Sequence, residues 1–179
     1  MRVSVIGSTG SGKTTLGREL ARRLDVPFVE LDSIYHQAGW TPLPDDQFRA
    51  EVAAHIAGPA WVIDGNYRAV RPLVLERADT VVWLDYERCT IMHRVIRRSI
   101  SRTVLRTELW NGNRESFRNW FRPDHPMRWA WSEHGRKRRE HGERLASPAY
   151  AHLTVHHLRS PAAARDWLEA QSGPGGPTL

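Results

Sequence analysis

The chain has a single cysteine, Cys89, among 179 residues. That excludes an internal disulfide and any zinc site built on paired thiolates. Lysine is almost as scarce: Lys13 and Lys137 are the only two, and every other basic residue is arginine. Long apolar runs are missing too, so no segment offers the roughly 20 consecutive apolar residues of a membrane-spanning helix. The opening Met1-Arg2-Val3-Ser4-Val5-Ile6 meets Gly7 too soon to hold the apolar region of a secretory leader. These absences predict a cytoplasmic protein with no membrane contact. The bulk composition, 40% hydrophobic and 26% charged, excludes wholesale disorder. The length suits one domain with a real core.

The net charge of +6 is unevenly spread. Residues 86–145 hold 15 Lys+Arg against 7 Asp+Glu, whereas the rest of the chain holds 11 against 13. The excess therefore sits in one stretch, and nearly all of it is arginine, whose planar fork suits phosphate and carboxylate. An anionic partner for the stretch is the sharper reading; arginines on a solvated helix face are the plainer one for any single residue.

Short β-branched runs alternate with amphipathic stretches along the chain. Strands are predicted at 3–6, 28–31, 61–63, 80–84 and 153–158, and helices at 13–24, 48–56, 74–77, 88–105, 127–145 and 162–170. Residues 33–47 carry Gly39, Pro42 and Pro44 and read as an irregular connection, and the Gly/Pro tail 172–179 as disordered. Strands alternating with helices predict an α/β fold with a five-stranded parallel sheet wrapped on both faces. Ligands of such sheets bind at the carboxyl ends of the strands. Gly7, Asp32, Asp64 and Asp85 all follow predicted strands, so they should share one edge.

Gly7-Ser8-Thr9-Gly10-Ser11-Gly12-Lys13-Thr14 matches the P-loop pattern in full, and Thr15 continues it into the helix. Backbone N–H groups of such a loop surround a phosphate while the helix aims its positive end at the same anion. Lys13 is expected at the β- and γ-phosphates of ATP and the Thr14 hydroxyl at Mg²⁺. The metal also calls for an acid at a neighbouring strand end. Asp64 and Asp85 both fit; Asp64 is preferred because Gly65 keeps the space beside it open, and Asp85 can equally cap the helix that follows.

Around these motifs the chain resembles the small nucleoside-monophosphate kinases of the adenylate kinase type, in which an Asp-Gly-Phe-Pro-Arg stretch stands where this chain has Asp64-Gly65-Asn66-Tyr67-Arg68. Leu31-Asp32-Ser33, Gly39-Trp40 and Trp61 to Tyr67 also resemble the related group known as DNA topology modulation proteins. An Asp leaving the second strand is similar to shikimate and gluconate kinases, where it meets the acceptor hydroxyl. The resemblance implies a P-loop NTPase three-layer sandwich over 1–171, with an acceptor-binding insertion at about 33–60 and a lid-like basic segment at about 106–140. It implies that Asp64 supports Mg²⁺, that Arg68 grips an acceptor anion, and that Asp32 orients or deprotonates an acceptor hydroxyl. It also implies Arg94 near the adenine, Arg98 near the phosphates, and Arg159-Ser160 beside the base.

Arg102 and Arg106 continue the spacing of Arg94 and Arg98, while Arg128, Arg136 and Arg139 are candidates for a closing lid. Nine histidines show no metal-ligand spacing, and His156-His157 in a strand must point to opposite faces. Trp61, Trp83 and Trp167 read as core. Trp110, Trp120, Trp129 and Trp131 lie among the arginines, where rings could stack on bases. The expectation is an ATP-dependent kinase of a nucleotide or another polar acceptor. The competing expectation is a nucleotide-regulated nucleic-acid-binding protein using 86–145.

Overall fold

A computed structural model describes the backbone of residues 1–104, 111 and 126–171, and the side chains of 1–97, 111 and 134–171. Five parallel strands form one sheet: β1 (Arg2–Gly7), β2 (Phe28–Glu30), β3 (Trp61–Asp64), β4 (Thr80–Leu84) and β5 (Thr154–Leu158), in the order β2-β3-β1-β4-β5. The helices are α1 (Lys13–Leu24), α2 (Leu31–Tyr35), α3 (Asp45–His55), α4 (Arg71–Arg77), α5 (Arg88–Val104), α6 (Pro126–Leu145) and α7 (Pro161–Glu169). This is the expected α/β sandwich with a five-stranded parallel sheet.

Strand alternation divides the interior into two cores. Trp61 and Ile63 of β3 and Val81 and Trp83 of β4 face one side, with Leu31, Phe48, Val52, Val74 and Leu75 from α2, α3 and α4. Val62, Val82 and Leu84 face the other, with Leu16, Leu20, Ile91, Val95 and Ala164 from α1, α5 and α7. A strand turns successive side chains to opposite faces, so a sheet covered on both sides needs apolar residues at every position. β3 and β4 are buried throughout. Trp61 and Trp83 are core as expected, whereas Trp167 is half-buried against the second core.

Two local readings need correction. Leu31–Tyr35 is helical, closed by the His36 N–H donating to the Asp32 carbonyl at 3.0 Å. Helix α3 starts at Asp45, three residues before the apolar pattern begins. Its first turn carries Asp45 and Asp46, which favour a helix N-terminus, and Phe48 N donates to the Pro44 carbonyl at 2.8 Å. So 33–47 is partly helical rather than irregular throughout. The tail 172–179, and most of the lid-like segment, lie outside the described residues.

The register brings the chemistry to one edge. Gly7 pairs with Leu84, and Asp64 pairs with both Val5 and Glu30. The P-loop, Asp32, Asp64 and Asp85 therefore leave their strands at neighbouring carboxyl ends.

Candidate functional site

The loop between β1 and α1 is built to surround an anion. Ser11 N donates to the Ser8 carbonyl at 3.1 Å, Leu16 N to the Gly12 carbonyl at 3.0 Å, and Lys13 Nζ to the Ser8 carbonyl at 3.2 Å. Gly10 has φ 84°, and a Cβ there would lie 2.4 Å from Val95 Cγ2 of α5. Only glycine meets both the left-handed backbone and that close approach. Arg94, also on α5, donates from Nη1 to the Ser11 carbonyl at 2.9 Å and lies over the Tyr86 ring. It braces the loop from outside. Thr15, one residue past the motif, is exposed.

Thr14 Oγ1 donates to Asp64 Oδ2 in a short hydrogen bond. Asp64 is buried, and among the described residues its Oδ1 has no hydrogen-bond partner; nor does the buried Ser11 hydroxyl. Burial pushes the Asp64 carboxyl up, while Lys13 and the Thr14 hydroxyl pull the other way. An orphaned carboxylate oxygen beside a P-loop threonine fits Mg²⁺ carried by a nucleotide triphosphate, whose charge and water shell would satisfy both groups.

Asp85 has a different environment. Its Oδ2 pairs with Arg138 Nε of α6 at 2.9 Å and with His157 Nε2 of β5 at 2.8 Å. His157 stacks on Trp83 at 4.1 Å between ring centroids, and His156 turns the other way, against Trp167. The carboxylate ties α6 to the end of the sheet. His134 of the same helix is buried on the Tyr86 carbonyl at 2.9 Å.

On the acceptor side, Asp32 is half-buried and accepts a hydrogen bond from Tyr67 Oη at 2.6 Å; His36 Nε2 is 3.3 Å from the same phenol oxygen. Gly65 (φ 130°) lets the loop after β3 reach α2: a Cβ there would sit 2.8 Å from Leu31 Cβ. Ile6, Leu31, Gly65, Asn66, Tyr67 and Arg71 are among the residues lining a pocket between β1, α2 and α4. Arg68 is exposed. Arg71, three residues later, is half-buried and donates from Nε to Asn66 Oδ1 at 2.6 Å and from Nη2 to the Asn66 carbonyl at 3.3 Å. Burial and the neighbouring Arg144 disfavour its charged form. Asn66 Nδ2 also meets the His141 ring at 3.3 Å, which links this loop to α6.

Of the lid candidates, Arg136 pairs with Glu140 and Arg139 is exposed. Sequence reasoning missed Lys137 between them. It lies within electrostatic reach of Lys13, and burial together with Lys13, Arg136 and Arg71 lowers its ammonium to about 8. The signal was present, since it is the one lysine besides Lys13 in an arginine-rich chain. Arg159 is exposed, and the Ser160 hydroxyl accepts from Ala163 N at 3.1 Å as the N-cap of α7. The side chains of Arg98, Arg102, Arg106 and Arg128, and of Trp110, Trp120, Trp129 and Trp131, lie outside the described residues. Among the described residues no group of three or more metal-ligating side chains occurs, and no helix is long and apolar enough to cross a membrane.

Comparison with known proteins agrees with this geometry. A family model described as Shikimate kinase matches residues 9–44. The shikimate kinase of Novosphingobium aromaticivorans is 34% identical over 123 residues, covering 58% of this chain and 63% of that protein. That of Symbiobacterium thermophilum is 34% identical over 120 residues, covering 59% of this chain and 69% of that protein. The matched stretches thus span about two thirds or less of several relatives' own length, 59% for that of Rhodopseudomonas palustris. Among solved structures, shikimate kinase from Acinetobacter baumannii in complex with shikimate shares the fold, with a TM-score of 0.53 at 19% identity over 94% of this chain and 88% of that one. These likenesses run to kinases of a small acid and do not support the topology modulation group.

Proposed function

The chain belongs to the shikimate kinase family, and on that premise we propose that it transfers the γ-phosphoryl group of Mg·ATP to a hydroxyl of a small hydroxylated acid of the shikimate type. The adenylate-kinase likeness leaves the acceptor open between a nucleotide and another polar molecule; the family makes a hydroxylated acid the better candidate. The observation that carries the reading is the Thr14–Asp64 hydrogen bond at the P-loop, on the same sheet edge as Asp32.

Each residue's part follows from its place. The loop amides and Lys13 hold the triphosphate, and Arg94 keeps the loop in shape through the Ser11 carbonyl. Thr14 and Asp64 would hold Mg²⁺, which neutralises charge on the β- and γ-oxygens when bound. Asp32 takes the proton of the acceptor hydroxyl as its oxygen bonds to the γ-phosphorus. The bond from phosphorus to the β–γ bridging oxygen breaks, and ADP leaves with that electron pair. Arg71, buttressed by Asn66, would meet the acceptor's anion, with Arg68 at the rim. Lys137 adds positive charge opposite Lys13.

The test is ADP release from Mg·ATP with shikimate, gluconate and nucleoside monophosphates offered in turn, with Lys13→Ala as the blank. Shikimate should raise the rate well above ATP alone, and Lys13→Ala should abolish the increase. Stimulation by a nucleoside monophosphate alone would replace the acceptor and keep the kinase. No stimulation, with a salt-dependent shift of labelled DNA or RNA, would give the site to the nucleic-acid reading instead.

A further inference from the structure

We propose that Tyr67 is a positioning residue for Asp32: its phenol holds one carboxylate oxygen and turns the other to the acceptor hydroxyl. The inference rests on the kinase reading above and deepens it. Tyr67 Oη lies 2.6 Å from Asp32 Oδ1, the length of a strong hydrogen bond to a charged acceptor. The ring that carries it is walled in, with Tyr35 at 4.5 Å and Phe48 at 5.3 Å between centroids. The hydroxyl therefore has little freedom to swing away.

The direction of the bond is fixed by chemistry. Burial, and then the Asp32 charge, push the Tyr67 phenol up from its ordinary value, so it stays protonated and donates. Other groups surround it: His36 Nε2 stands 3.3 Å from the phenol oxygen, Tyr35 packs against the ring, and the Asp64 charge adds a weaker upward push. A phenol has one proton to donate, and with a carboxylate oxygen at 2.6 Å it donates its hydrogen bond there while keeping the proton. Asp32 Oδ2 is left for the acceptor. Tyr67 sits three residues beyond Asp64 on the loop after β3, so one short segment carries both the metal-side acid and the support of the acceptor-side acid.

Phosphoryl transfer depends on placing the base within hydrogen-bond reach of the attacking hydroxyl, and a rotated carboxylate loses that alignment. The experiment is a double-mutant cycle of Tyr67→Phe and Asp32→Asn, with kcat and both KM values measured for Mg·ATP and shikimate. Tyr67→Phe keeps the ring and its packing. It should lower kcat by about 10- to 100-fold, with the KM for ATP unchanged. Asp32→Asn should lower kcat by about 100-fold or more. The double variant should be no worse than Asp32→Asn alone, because a support has nothing left to hold.

Additive losses, or an unaltered kcat in Tyr67→Phe while Asp32→Asn is crippled, overturn the proposal and leave the kinase reading standing. An active Asp32→Asn overturns the reading of Asp32 instead, and a native protein that shikimate does not stimulate overturns the acceptor class proposed above. A measurement free of turnover covers a variant that fails to fold. In alkaline titration of the native protein, Tyr67 should resist ionisation most among the four tyrosines, with Tyr86 raised by burial alone, and Asp32→Asn should make Tyr67 ionise earlier while leaving Tyr86 unchanged. Identical titrations would show that Tyr67 does not feel Asp32 and would end the proposal.

Discussion

Lys137 carries a consequence for pH. Its ammonium is lowered to about 8, first by burial and then by Lys13, Arg136 and Arg71 around it. The charge is complete below that value and lost above it. kcat/KM for ATP should therefore fall as pH rises through about 8, and Lys137→Arg should remove that decline because arginine stays charged. Lys137→Met should cost about 10-fold at pH 7, the scale of one charge-assisted phosphate contact. A kcat/KM profile from acid to alkaline pH for the three proteins decides it; a native profile flat through pH 8 would remove Lys137 from the phosphate site. At this scale the legible residues were those whose partners are near in sequence or announced by a pattern. The P-loop is contiguous, and Asp32 and Asp64 follow apolar runs. The Tyr67–Asp32 bond spans 35 residues and exists only because β2 lies beside β3. Lys137 was hidden because which residue of α6 faces Lys13 depends on how that helix crosses the strand ends.

Among the described residues, helix α6 is held largely by a small set of polar contacts. Asp85–Arg138, His134 on the Tyr86 carbonyl and His141 beside Asn66 and Trp83 fix it against the sheet edge. His141 is buried, and burial with Arg144, Arg71 and Lys137 lowers it to about 4, against the weaker opposite pull of Glu140. The folded value lies below the unfolded one of 6.5, so the unfolded chain binds the proton first as pH falls. The His141 contribution to stability should thus be level above about pH 6.5 and decline toward pH 4, by about 3 kcal/mol at full effect. Thermal unfolding of native protein and His141→Gln at pH 7 and pH 4.5 checks this, since the glutamine variant should lose distinctly less. Equal losses would mean that His141 is not what acid attacks. Most elements were legible, because strands of β-branched residues and long amphipathic helices declare their period. Helix α2 was not: five residues are too few to show one, and its helical turn comes from docking on the core through Leu31.

On the scale of the whole molecule, the P-loop joins the central strand β1 to a helix of one core, while Asp32 and Tyr67 belong to the layer on the other side. A ligand at the strand ends touches elements from both layers, so binding should tighten the entire sandwich. Mg·ATP at about 100 times its Kd should add about 2.7 kcal/mol, which raises the melting temperature of a chain this size by roughly 5 to 10 °C. Lys13→Ala should show almost none of that shift in a thermal melt with and without Mg·ATP. A full shift in the variant would place the nucleotide elsewhere. The sheet architecture was legible from the alternation of strands and helices. The strand order was not, since the sequence shows which segments are strands and not which of them lie side by side.

The central position of β1 also bears on how the protein is made. Its two neighbours, β3 and β4, end at Asp64 and Leu84, so the first strand to be synthesised waits nearly 80 residues for its second partner. At about 5–20 residues per second that is roughly 4 to 15 s on the ribosome. Until β3 has been made, Val3, Val5 and Ile6 have no neighbouring strand, and throughout the interval the glycine loop has no α5 to brace it. The anion cradle is thus encoded first and completed only after both flanking strands and α5 have arrived. On the kinase reading, a nascent chain of this protein gains its capacity for ATP late, well after its signature motif has been translated.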